Sequence, residues 1–520
     1  AGFAEAYKQF SEAGWNSLSG PIEFGGQGLP HIVAMAVQEM WNSANMAFCL
    51  CPMLTTGVQE ALTHHGSADL VKTYMPKLVS GEWTGTMNLT EPQAGSDLSA
   101  VRTRAVPEGD HYRIQGTKIF ITWGEHDMAE NIVHLVLARL PDAPEGVKGI
   151  SMFVVPKFLL KPDGSPGARN DIRCVSIEHK LGIHGSPTCV LAYGDNGGAT
   201  GYLVGEPNRG LEYMFTMMNH ARLGVGMEGV AIAERAYQHA LEYAKTRVQG
   251  RAIGQKSGDR VTIIHHPDVR RNLMDVRCFN EGARALLLWT ALRGDLETKS
   301  DDAKLREQAA DSMALLTPVV KAYFTDQGFA NAVKCQQVHG GSGFTKEFPA
   351  EQFVRDARIG MIYEGANGVQ ALDLVGRKLA ANAGRAVFAL FGEIDKVLAD
   401  AKGNAFLAPW AEGLARARKE LGEATDWLMT NGLADPDNAA ASSYDYLYLM
   451  ALTALSATWA GLVATAKAKL DAGAPNKEFY ESKIAMGRYF LARVLPDSSA
   501  HLAKLKSGAA PVMALTVEAM

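Results

Sequence analysis

Apolar positions in the first eighty residues recur at the three- and four-residue spacing of a buried helix face. Over residues 28–50, Ile32, Met35, Ala36 and Met40 form such a stripe. Residues 67–78 predict a second, shorter helix, and Gly25, Gly26 and Gly28 punctuate the entry to the first. The pattern changes near Trp83. From there to about residue 206, short β-branched runs alternate with turn residues. Tyr112-Arg113-Ile114 and Lys118 to Thr122 read as arms of a hairpin turning at Gln115-Gly116. Residues 132–140 and 150–155 read as strands. The Pro-, Gly-, Asp- and Asn-rich stretches 161–170 and 194–201 read as surface loops. Helical periodicity returns over 211–247, 268–293 and 304–330, lengths that suit a four-helix bundle. An Ala- and Leu-rich helical block with breaks at 431–438 and 471–476 completes the chain. The expectation is an α+β multidomain protein. It has an N-terminal helical domain (1–84), a central β-domain (85–206), a helical bundle (207–383) and an extra C-terminal helical domain (384–520).

Composition narrows the class. A chain of 520 residues exceeds one hydrophobic core. Its 47% hydrophobic and 21% charged residues exclude a disordered or fibrous protein. A net charge of -5 gives no overall attraction to nucleic acid or an anionic membrane, leaving room for a local basic groove. No apolar run reads as long enough to span a bilayer, so no membrane insertion is expected. The six cysteines contain no C-x-x-C pair and read as small buried hydrophobes in a reducing cytoplasm, with no metal site. The chain opens on Ala1 without a signal peptide, which reads as a cytoplasmic protein with an upstream segment removed.

Four segments carry candidate chemistry. Thr90-Glu91-Pro92-Gln93-Ala94-Gly95-Ser96-Asp97 is a polar turn whose glycine admits close approach of a planar ligand; alone it reads as a surface turn. Ile119-Phe120-Ile121-Thr122 places an aromatic ring and a hydroxyl two residues apart, hence on one strand face. Alone, the ring reads as core. Gln337-Val338-His339-Gly340-Gly341-Ser342-Gly343-Phe344 is a glycine-rich stretch whose amides could converge on phosphate. It matches neither nucleotide-binding fingerprint, and His339 reads as a packed side chain. Tyr363-Glu364-Gly365-Ala366-Asn367 sets a carboxylate beside glycine at a helix junction. Alone, that carboxylate reads as a solvated helix-start glutamate.

In this order and spacing, the four blocks resemble the acyl-CoA dehydrogenase family over about residues 1–380. The resemblance implies that family's fold and FAD as cofactor. Glu364 takes the place of the catalytic base. Met87, Leu89, Thr90, Gly95, Ser96, Phe120 and Thr122 match positions around the flavin ring, and Ala366 a further cofactor position. Arg247 matches an arginine reaching the FAD diphosphate of a neighbouring subunit; Gln337, Gly340 and Gly341 match positions holding its adenosine part. Ser96, Asn219, Arg222 and Gly365 match substrate positions, Arg222 near the catalytic carboxylate. Three departures stand out. Phe120 replaces a frequent Trp, Ala366 replaces a hydroxyl residue, and residues 248–253 lengthen the loop after Arg247.

The activity implied is removal of a Cα proton and a Cβ hydride from an acyl-CoA. Burial of Glu364 and donors aimed at the thioester oxygen would make the proton removable. The resemblance further implies an electron-transfer flavoprotein as acceptor and at least a homodimer, because partner residues complete each FAD site. The 178–188 loop and the C-terminal extension resemble a subgroup. Its implied substrate is 3-(methylthio)propanoyl-CoA, with medium- or long-chain acyl-CoAs as rivals. The motif-poor extension itself is expected to serve assembly and covering. An acyl-CoA oxidase shares these motifs. A DNA-associated flavoprotein would need a basic C-terminal domain, whereas Lys and Arg there are balanced by Asp and Glu.

Overall fold

The computed structural model describes residues 2–520, which form two compact units, one ending at Gly224 and one running from Val225 to Met520. The first unit begins with α1 (Phe3–Glu12), α2 (His31–His65) and α3 (Ala68–Ser80). α2 continues fifteen residues past the expected end, and it carries a kink at Asn45 where the backbone is extended. Ser67 caps α3 by accepting from the Leu70 N–H at 3.3 Å.

Ten strands follow: β1 (Trp83–Asn88), β2 (Arg104–Glu108), β3 (His111–Thr122), β4 (Asn131–Ala138), β5 (Ser151–Pro156), β6 (Phe158–Leu160), β7 (Pro166–Arg169), β8 (Ile172–Ile177), β9 (Thr188–Tyr193) and β10 (Ala199–Val204). Seven are ordered β1-β4-β5-β10-β3-β9-β8, with β2 against β3; β1 and β4 are parallel and the other strand pairs antiparallel. Every residue of β1, β4 and β5 is buried, the polar Thr84, Thr86, Asn88 and His134 included. Leu54, Val58 and Leu62 of α2 and Tyr74 and Leu78 of α3 pack in one core with Trp83, Val133, Leu135 and Val154 of these strands. Each such side chain contributes about 1.5–3 kcal/mol on burial.

Two expectations fail in this sheet. The hairpin at Gln115-Gly116 does not exist, because residues 111–122 are one strand. Gly116 serves a close approach instead: a Cβ there would lie 2.4 Å from Thr103 Oγ1. The stretches 161–170 and 194–201 are also not wholly loops. β7 pairs with β6 around a tight turn, and β10 starts at Ala199, since backbone pairing can recruit turn-rich residues that no local preference favours.

The long helix α4 (Gly210–Thr246) runs from the first unit into the second. The second unit adds α5 (Pro267–Lys299), α6 (Ala303–His339), α7 (Ala350–Ala357) and α8 (Asn367–Asp373). Asp302 caps α6 through the Lys304 and Leu305 N–H groups at 2.9 and 3.3 Å. Small residues Ala236, Ala240 and Ala244 let α4 close on Leu273, Val276, Cys335 and Val338. The C-terminal extension comprises α9 (Arg385–Lys402), α10 (Ala408–Trp427), α11 (Pro436–Asp471), α12 (Lys477–Arg493) and α13 (Asp497–Lys506). α11 corrects the reading of apolar runs, being long and apolar enough to cross a bilayer. However, 67% of its most apolar window is buried inside the protein, the position of a core helix. All six cysteines are free thiols, buried except for half-buried Cys174.

Candidate active site

In the first unit, the Thr90–Asp97 turn and the end of β3 are fastened together by a pair to which the motifs assigned no role. Lys118 and Glu91 are 0% and 3% exposed and ion-paired at 2.8 Å. Lys118 Nζ also donates to the Leu89 carbonyl at 3.0 Å, and the Ile119 N–H to the Thr90 carbonyl at 2.9 Å. Glu91 further accepts from the Thr103 hydroxyl and the Arg102 and Thr103 N–H groups. Burial opposes its charge, but Lys118 and these donors outweigh it and hold the carboxyl at about 2. Burial lowers Lys118 to about 8 against the pull of Glu91. Two sequence-distant motifs thereby become one surface.

On that surface the side chains differ from simple alternation. The β3–β9 register slips between Lys118 and Ile121, inserting one residue, and Phe120 takes φ 58°. The bulge breaks the same-face relation expected for Phe120 and Thr122. It also overturns the core reading of Phe120, whose ring is 60% exposed. Gly95 and Ser96 are exposed, Leu89, Thr90 and Thr122 half-buried, and Met87 buried in β1. An accessible aromatic ring beside hydroxyl and amide donors fits the ring system of FAD.

Further along the first unit, Asn219 is exposed, and Arg222 is buried with its guanidinium 5.8 Å from the centre of the Phe215 ring. Near them lies a cluster the sequence reading did not foresee. His31 and Glu60 of α2 and His220 of α4 bring donor atoms within 4.8 Å of one another. Glu60 and His220 form an ion pair, and His220, with His31 and His64, lowers the Glu60 carboxyl despite its burial. Their separations of 29 and 160 residues leave no local signal.

In the second unit, Glu364 sits on a strained turn, with φ 55° at Glu364 and 83° at Gly365. Only glycine suits position 365: a Cβ would lie 2.5 Å from Gln370 Nε2. Gln370 Nε2 donates to the Glu364 carbonyl at 2.9 Å, and buried Lys321 Nζ to the Gly365 carbonyl at 2.7 Å and to Asn367 Oδ1 at 2.8 Å. Asn367 in turn donates to Asp326 Oδ1 at 2.7 Å. Ahead of the turn, the Tyr363 hydroxyl donates to Glu228 of α4. Glu364 is half-buried, held by its own backbone instead of by a helix start. Ala366 occupies the residue before α8, and its side chain gives no cap.

Arg247, Gln337, Gly340 and Gly341 are all exposed. Tyr243, one turn before Arg247, stacks on His339 at 4.6 Å between ring centres, and its hydroxyl reaches Ser342 at 3.5 Å. These contacts bring the ends of α4 and α6 side by side, so the four exposed residues share one region. Gln337 lies in the last turn of α6, which extends nine residues beyond the expected end. His339 is packed, 5% exposed and bonded to the Cys335 carbonyl at 2.8 Å.

A helical layer, a mostly antiparallel sheet and a helical unit, with a carboxylate on a fixed turn and a flavin-compatible strand end, define an acyl-CoA dehydrogenase-type oxidoreductase. Residues 2–82, 86–195 and 208–379 match the acyl-CoA dehydrogenase N-terminal, middle and C-terminal domains, and 390–516 the acetyl-CoA dehydrogenase C-terminal-like domain. The chain is 48% identical over 97% of its length, and 85% of the relative's, to 3-methylmercaptopropionyl-CoA dehydrogenase of Ruegeria pomeroyi. It is 38% identical to a broad-specificity linear acyl-CoA dehydrogenase of Mycobacterium tuberculosis, covering 95% and 83% of the two chains. Among solved structures, the FAD complex of a Bacillus anthracis acyl-CoA dehydrogenase shares the fold, with TM-score 0.79 and 21% identity over 97% and 82% of the chains. This chain belongs to the acyl-CoA dehydrogenase family and has acyl-CoA dehydrogenase activity.

Proposed function

We propose that this chain oxidises short acyl-CoA thioesters to trans-2-enoyl-CoA, 3-(methylthio)propanoyl-CoA foremost, with Glu364 as the base that removes the Cα proton. The observation that carries the reading is the Glu364 turn, whose backbone is bonded through Gln370 and Lys321. A base held this firmly keeps its alignment with Cα while the substrate binds. A carboxylate in water is too weak for an α-proton beside a thioester; a dry site raises its basicity. The Glu364 backbone N–H is the proposed donor to the thioester oxygen, stabilising charge that develops there by several kcal/mol. FAD, when bound, accepts the hydride from Cβ.

The proposed cofactor contacts are Phe120, Thr122, Thr90 and Ser96 for the ring, and Arg247, Gln337 and Gly341 for a partner subunit's diphosphate and adenosine. A homodimer follows from that sharing. The acceptor is an electron-transfer flavoprotein, on family resemblance; the location is the cytoplasm, on the reading of the six cysteines as reduced thiols. The thioether substrate, and with it a place in methylthiopropanoate breakdown, rests on the 48% identity to the Ruegeria protein.

Two measurements test the reading. Glu364→Gln keeps shape and removes basicity, so FAD should stay bound while turnover collapses. Activity within tenfold of wild type, about 1.4 kcal/mol in barrier, removes Glu364 from the role. A series of kcat/KM from butanoyl- to palmitoyl-CoA with the thioether included should peak at the short substrates. A steady rise toward palmitoyl-CoA would place the protein with long-chain enzymes.

A further inference from the structure

Glu228 is 1% exposed on α4 in the second unit. A carboxyl group so far from water is costly unless its oxygens are bonded or its charge is matched. Here Oε2 accepts the Tyr363 hydroxyl, while among the described residues Oε1 has no hydrogen-bond partner. Tyr363 directly precedes Glu364, so this bond fixes the backbone entering the turn, as Gln370 and Lys321 fix the backbone leaving it. No helix-packing need explains the residue. Its neighbours Val225, Met227, Val230 and Ala231 are buried and apolar, and a hydrophobic side chain would continue the pattern.

The titratable and charged groups acting on Glu228 are Tyr363 and Glu364 from the turn and Lys321 from α6. Burial pushes its carboxyl up to about 8; the Tyr363 bond and Lys321 oppose the rise, and Glu364 adds to it. Coupling of this kind is reciprocal. If the Glu364 charge makes Glu228 harder to ionise, an ionised Glu228 makes Glu364 a stronger base.

We propose that Glu228, through Tyr363, is a positioning residue for Glu364, holding the strained turn in place and setting the basicity of Glu364 by its own charge state. The inference rests on Glu364 being the base. At neutral pH, Glu228 is the uncharged acid and its bond to Tyr363 is purely structural. As pH rises through about 8, Glu228 loses its proton. Proton removal from Cα by Glu364 then speeds up, because the stronger base has the lower barrier.

The test is the pH dependence of flavin bleaching by saturating butanoyl-CoA, followed anaerobically by stopped flow in the FAD-loaded enzyme. Wild type should show a rise of about threefold centred near pH 8. Glu228→Gln keeps the shape but cannot ionise, so its profile should be flat across that window. Tyr363→Phe keeps the carboxyl and removes a bond that favours its charged form, so the rise should persist with its midpoint moved to higher pH. A Glu228→Gln profile that superimposes on wild type overturns the proposal. If that variant does not fold, an unmoved midpoint in Tyr363→Phe overturns it. Glu364→Gln in the same assay separates the premise: bleaching at near wild-type rate there means that Glu364 is not the base, whatever Glu228 does.

Discussion

Tyr448, deep in the C-terminal extension, donates a 2.9 Å hydrogen bond to Asp326 Oδ2 on α6. Tyr444, one turn earlier on α11, donates to the same oxygen. The other oxygen of Asp326 holds Asn367, which shares Lys321 with the Gly365 carbonyl. The extension is thus four hydrogen bonds from the Glu364 turn. The extension therefore adds hydrogen bonds to the network behind the turn. The tyrosines touch no reacting atom, but they support the residue that supports the turn.

Removing both hydroxyls in Tyr444→Phe/Tyr448→Phe leaves a buried carboxylate oxygen without donors. The loss should be about 3 kcal/mol of stability, from hydrogen bonds to a charged group. It should also bring a fall in kcat larger than any rise in KM, since the turn loosens without losing substrate contacts. Chemical denaturation and steady-state kinetics on the double variant check both; an unchanged kcat would confine the network to stability.

Gly365→Ala forces a Cβ into a left-handed backbone and against Gln370. Strain of about 1–2 kcal/mol and the clash should shift the turn. The expected outcome is a folded, FAD-containing protein with kcat reduced at least tenfold. Absorbance of bound flavin separates this from unfolding, and full activity would show that the turn tolerates another geometry.

The Lys118–Glu91 pair predicts an acid limit to stability. Glu91 is held at about 2 in the folded chain, below its ordinary value near 4.5. A depressed carboxyl contributes stability above about pH 4.5, progressively lost as pH falls toward 2. The whole shift corresponds to about 3 kcal/mol. Lys118 stays charged in both states across this window, so only Glu91 titrates. Denaturation curves between pH 6 and 3 should lose part of this slope in Glu91→Gln. That variant should also be less stable by about 3–5 kcal/mol at neutral pH, because it leaves Lys118 buried and unmatched.

Deleting residues 384–520 should strip the cover from α5 and α6. Across this boundary Lys483 pairs with Glu281 at 3.0 Å, Tyr489 bonds Asp275 at 2.6 Å, and Trp459 is 1% exposed. The truncated chain should aggregate or change oligomeric state on size-exclusion chromatography, because the exposed face is apolar. A soluble, dimeric and fully active truncation would show the extension to be dispensable.

Periodicity, read from the sequence alone, determined the order of helical and strand-rich blocks, while turn chemistry misread Gln115-Gly116 and the stretches 161–170 and 194–201. The order of four short motifs determined the family. Both are local properties: an apolar stripe every three to four residues, or a glycine beside a carboxylate, is written within a dozen positions. What tertiary structure decided lies between distant residues. The strand at Phe120 reads as regular until pairing with β9 inserts a bulge and turns the ring to solvent. Glu91 and Lys118 are two polar residues in separate motifs until the fold buries them against each other. Glu228 in an apolar helix looks like an error of pattern; only its meeting with Tyr363, 135 residues later, gives it a partner. Buried charge and strained backbone persist only where surrounding packing enforces them. That enforcement comes from residues far along the chain, which no window of sequence contains.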